Sequence, residues 1–118
     1  MKAKITAIRE PGNLQKERIV IRIESACNIG EFLLLQTGFK NGSVNTGVYE
    51  TFWFPDKQVR AGDYVVVYTK KGASSEKPFN GVTSHFFYLG KSTPIWRTNE
   101  RSAVLMHAPV WQSLEAPS

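Results

Sequence analysis

Apolar and polar side chains alternate along most of this chain with a period of two, the signature of strands that bury one face. The clearest case is Glu17–Ser25, where Ile19, Ile21 and Ile23 alternate with Arg18, Val20, Arg22 and Glu24. The stretch from Phe52 to Lys70 shows the pattern twice. Phe52-Trp53-Phe54 stops at Pro55-Asp56, and Asp63–Tyr68 resumes after the turn signal Ala61-Gly62. Proline closes the first run because it has no N–H to give a ladder. Around this pair the pattern predicts a first strand over Lys2–Ile8 and a turn over Glu10–Asn13. It also predicts an aromatic strand over Ser84–Leu89, with Phe86 and Tyr88 on one face and His85 and Phe87 on the other. Pro94-Ile95-Trp96 reads as a short edge piece and Ser102–Ala108 as the last strand. Glu31–Gln36 is apolar on both faces, which suits a central strand. Thr37–Gly47 and Lys71–Thr83 are rich in Gly, Ser and Asn and are expected to be open, mobile segments, the first a loop or a wide hairpin end. No helical period of useful length occurs.

Seven to eight short strands with regular turn signals point to an all-β fold, an antiparallel β-sandwich in preference to a small barrel, because several strands bury one face only. The 118 residues make one domain over 1–108, followed by a tail over 109–118 that carries Trp111 and is expected to fray. Ile21, Phe54 and Val66 are the expected core markers, each on the apolar face of a strand. A composition of 42% hydrophobic and 21% charged residues excludes a disordered chain. The start lacks the apolar run of a secretory signal and no stretch has the length of a membrane span, so a cytoplasmic protein with no membrane partner is expected. Cys27, the lone cysteine, agrees with a reducing compartment.

Charge changes the picture more than composition does. Between Lys57 and Arg101 stand eight basic and three acidic residues, so the whole net charge of +5 falls in the second half. Lys57, Arg60, Lys70, Lys71, Lys91, Arg97 and Arg101 are the candidate polyanion-binding residues, with Phe79 or Trp96 available to stack a base. Surface lysines more often serve only solubility.

Catalytic constellations are weak. Gly90-Lys91-Ser92 resembles the end of a phosphate loop, but His85 stands where its first glycine belongs and Pro94 blocks the following helix. Cys27 with His85 or His107 would make a nucleophile and base, and Asp56 with Asp63 a pair of acids, yet each residue has an ordinary structural reading as a buried or turn residue. The two histidines and one cysteine lack metal-ligand spacing. No catalytic residue, metal or cofactor is assigned.

Phe54-Pro55, the Gly62–Thr69 run, and Trp96 followed after a short loop by Ala103-Val104-Leu105 resemble the lamin tail domain family, an immunoglobulin-like β-sandwich that also occurs in compact bacterial versions. The likeness spans Glu17–Met106 and is specific from Phe52 onward. Two features differ: Glu100 and Arg101 stand where the family often has Gly-Asp, and the early Gly-Trp is missing. The resemblance implies an immunoglobulin-like topology with Trp96 largely buried against the sandwich, and a non-enzymatic interaction or adaptor module, with a protein partner first and nucleic acid or another polyanion as the alternative.

Overall fold

A computed structural model describes residues 1–117. Its regular elements are strands, apart from a 3-10 turn over Ile29–Glu31. The strands are β1 (Ala3–Arg9), β2 (Arg18–Ile23), β3 (Cys27–Asn28), β4 (Phe32–Lys40), β5 (Ser43–Trp53), β6 (Gln58–Val59), β7 (Tyr64–Tyr68), β8 (Ser75–Phe79), β9 (Val82–Tyr88) and β10 (Arg101–His107). One sheet runs β1-β2-β7-β9-β8 and a second runs β10-β4-β5, while β3 and β6 form a two-residue pair beside them.

The two main sheets share one core, giving an all-β, sandwich-like body. Ile19, Ile21 and Ile23 of β2 and Val65 and Val67 of β7 are completely buried from one side, and Phe32, Leu34 and Phe54 close the core from the other. Phe52, Phe54 and Phe87 join the layers with ring centroids 5.0 to 5.9 Å apart, in edge-on and tilted contacts that aromatic pairs prefer. Ile21, Phe54, Val66 and Trp96 are all buried. Val66 differs from the other three: it points away from the shared core, because its neighbours Val65 and Val67 take the inward positions.

Both segments expected to be open are paired. β4 runs on through Lys40 and returns as β5 at Ser43, so Thr37–Gly47 is the tip of a long hairpin with irregular register between Gln36 and Phe39. β8 occupies Ser75–Phe79 and pairs with β9. The reason is the same in each case. Asn41-Gly42 has φ values of 54° and 79°, and Asn80-Gly81 has 50° and 82°. Positive φ at both central residues is the two-residue turn whose twist matches antiparallel strands, and Asn-Gly is the sequence that adopts it most readily. Pro94–Trp96 takes no strand, and the extra short pairs bring the count to ten strands.

One pairing departs from an antiparallel sandwich. β9 lies between β7 and β8 and runs parallel to β7, from Tyr64 opposite Ser84 to Tyr68 opposite Tyr88. β8 forms a hairpin with β9, so the chain leaving β7 reaches the sheet edge first and fills the gap on its return.

Candidate functional site

The seven basic residues singled out from sequence do not form one surface. Lys70, Lys71 and Lys91 come together around a shallow depression of about 230 Å³ that Leu14 and Gln15 also line. Lys91 is engaged there by Glu50 at 2.7 Å. Arg97 packs along Gly12 in the loop that supplies Leu14. Lys57 lies elsewhere, paired with Glu76 at 2.9 Å, and it holds the Glu76 carboxyl below its ordinary value. Arg60 lines a polar cleft with Asp63, Glu76 and His85. Arg101 sits on the other sheet, its guanidinium carbon 3.7 Å from the centroid of the Tyr49 ring. Of the two candidate stacking residues, Trp96 is buried and Phe79 is exposed.

The catalytic candidates resolve into structural contacts. Cys27 is buried, and desolvation pushes its thiol up against the opposing pull of Lys2. Raising a thiol leaves less thiolate for attack. His85 bonds Asp63 instead, its Nε2 lying 2.9 Å from Oδ2, and His107 Nε2 meets Glu31 at 3.0 Å. Burial raises the Asp63 carboxyl, but the His85 bond and the backbone N–H groups of Thr83 and Arg60 outweigh it and hold the group below its usual range. Asp56 accepts from Asn28 on a different element, so the two acids do not pair. The N–H groups of Gly90 and Lys91 already donate to the carbonyls of Lys70 and Thr69, so neither is free for a phosphate.

The outer side of the β10-β4-β5 sheet has a chemistry of its own. With Phe52 and Phe54 turned inward, alternation along β5 places Trp53 outward. Its indole N–H donates to the carbonyl of Gly30 at 2.8 Å, which fixes the ring while leaving it 49% exposed. Leu33 and Met106 stand opposite one another on β4 and β10, and Leu33 also pairs with Trp53. Ala108 and Trp111 complete a groove of about 290 Å³ whose lining has no charged residue. Trp111 meets Trp53 edge-on with centroids 4.9 Å apart, so part of the C-terminal segment lies on this face while Val110 and Leu114 remain exposed. The sequence reading missed these residues. The signal was the two-sided apolar character of Glu31–Gln36, which suggests burial on both faces, whereas here the second face is left to a tryptophan of the tail.

No protein-family model matches the chain, and no curated protein matches it. No helix among the described residues is long and apolar enough to cross a membrane.

Proposed function

We propose that this protein is a non-catalytic interaction module, an immunoglobulin-like sandwich of the lamin tail kind, which docks a protein partner on the outer face of the β10-β4-β5 sheet. The observation that carries the reading is the uncharged groove of Leu33, Trp53, Met106 and Ala108, already occupied edge-on by the chain's own Trp111. An immobilised, half-exposed tryptophan is the kind of anchor on which binding energy concentrates, since little side-chain freedom remains to be lost on association. The occupant proposed is a polypeptide segment presenting an aromatic or large aliphatic side chain that displaces Trp111. The order of elements from Phe54-Pro55 through Trp96 to Ala103–Leu105 supports the family assignment.

The test compares the protein with Met106→Glu, which places a charge in the groove. A partner captured by the unaltered protein is identified by mass spectrometry, purified and titrated against both forms. The reading requires a loss of affinity of at least about tenfold in the variant, which corresponds to roughly 1.4 kcal/mol. Equal affinity for both forms, or no partner that distinguishes them, rejects the docking face.

A further inference from the structure

The outward side of the five-stranded sheet carries a second surface, built from strands and unrelated to the groove above. Val65 and Val67 point into the core, so Tyr64, Val66 and Tyr68 face out, and the cross-strand registers sort their neighbours into rows. One row runs Arg9, Arg18, Tyr68, Tyr88 from β1 to β9. Another runs Lys4, Arg22, Tyr64, Ser84 and ends on Lys77 of β8. Between them lies an apolar row of Ala7, Val20, Val66 and Phe86.

Each tyrosine of β7 thus has an arginine directly across from it on β2, and the two units stand about 13 Å apart along the strand. Around Tyr68 the cations are close: Arg18 Cζ lies 5.9 Å and Lys70 Nζ 5.0 Å from the ring centroid. Tyr88 stacks on the same ring, with centroids 5.5 Å apart and planes inclined by only 13°.

The strands put no carboxylate on this face; Glu24, one residue past β2 in the same alternation, lies at its edge beside Lys4. Glu76 is the one acidic residue in the five strands, and it is opposite His85 on the inner side, paired with Lys57. Among the described residues, Lys4, Arg9, Arg18, Arg22 and Lys77 make no ion pair. Arg9 is directly opposite Arg18 and Lys4 directly opposite Arg22, two like-charge pairs of a kind that destabilises a sheet. Arg18 donates to the Lys16 carbonyl at 2.8 Å and lies over the Tyr68 ring, but neither pair has an ion-pair partner, and such a local conflict is expected at a functional surface. An external anion relieves both pairs.

We propose that this face binds single-stranded nucleic acid, with bases added to Tyr64 and to the Tyr68–Tyr88 stack and phosphates held by Arg18, Arg22 and the cations beside them. Planar rings alternating with cations are what a single strand needs, because every base offers a π-face and every linkage a charge. A duplex hides its base faces and offers only phosphates, so the tyrosines favour single strands over duplexes.

The test is fluorescence anisotropy with labelled oligo(dT) of roughly 12 nucleotides, within the site size of one small β module. Binding is expected to weaken with salt, with a log–log slope of roughly −0.7 per cation engaged. Arg18→Gln and Arg22→Gln are each expected to flatten it by about that amount. Tyr68→Leu should weaken binding about 5- to 150-fold with the slope unchanged. Tyr64→Leu alters a more exposed ring and keeps the test decisive if Tyr68→Leu does not fold. Duplex DNA or heparin binding as tightly as oligo(dT), with both tyrosine variants unchanged, would reduce the face to a cationic patch and overturn the proposal. Retention on vesicles of phosphatidylserine and phosphatidylcholine without oligo(dT) binding would overturn it in favour of a membrane surface. Absence of oligo(dT) binding at the lowest salt would overturn it as well.

Discussion

The fully buried carboxylate of Glu17 accepts the backbone N–H of Trp96 at 3.2 Å, across 79 residues of chain. The same carboxylate accepts from the N–H groups of Gly12 and Ile95 and from the Thr69 hydroxyl, so one side chain ties the β1–β2 loop and the β9–β10 loop to the end of β7. Trp96 is buried without belonging to a strand, and this network supplies the backbone partners that a ladder would otherwise give.

Glu17→Ala removes four acceptor contacts at once and leaves buried donors without partners. Each such donor costs roughly 1 to 3 kcal/mol, so a loss of at least about 3 kcal/mol is expected in urea unfolding. Glu17→Gln keeps one acceptor oxygen and should lose less. Equal losses in the two variants would show that the side chain fills space and does not organise the loops.

Asp63 makes stability depend on pH in a defined direction. Its folded carboxyl lies below the ordinary value, so its contribution is present above about pH 4 and disappears as pH falls through the lower folded value. Asp63→Asn should flatten the acid limb of a plot of urea midpoint against pH. An unchanged limb would place the effect on other carboxylates.

Gly42 and Gly81 test the two hairpins. Both have positive φ, and a Cβ added at either would meet nothing within 4 Å, so substitution there perturbs backbone conformation alone. Gly42→Ala and Gly81→Ala should each cost on the order of 1 kcal/mol in a denaturant melt. The amides of the paired residues around Asn41-Gly42 and those of β8, held within their sheets, should exchange slowly. Rapid exchange at both would mean that the segments are open after all.

Those turns also mark where the sequence was legible and where it was not. The isoleucines of β2, the phase of β9 and the buried position of Phe54 follow from alternation alone, because a strand with one wet face states its own register, whereas no strand period marks Trp96. β8 escaped because every one of its side chains is exposed, so no apolar pattern marks it. Its signal was Asn80-Gly81, a turn dipeptide with only weakly apolar flanks. A second basic surface went unseen for a related reason. Counting charge along the chain favoured the loops after Lys57, whereas the outward face of the five-stranded sheet draws Lys4, Arg9, Arg18 and Arg22 from the first half, and only cross-strand register aligns them with the tyrosines. Phase showed that Phe86 and Tyr88 share a face. Which face looks outward depends on the partner sheet.

The contact between Trp53 and Trp111 gives the last prediction. If the C-terminal segment only covers the groove, removing residues 109–118 leaves the two sheets and their core intact. The expected loss is about 0.5 to 1.5 kcal/mol, the worth of one aromatic pair. The truncated protein should then expose Trp53, Leu33 and Met106 together, bind an apolar dye more strongly, and shift the remaining tryptophan emission to the red. Met106→Glu in the truncated chain should abolish the added dye binding while leaving the melt within about 0.5 kcal/mol, because Met106 is half exposed and outside the core. A truncation that costs several kcal/mol would make Trp111 part of the folded core, and the groove would then be an internal packing site with no place for a partner.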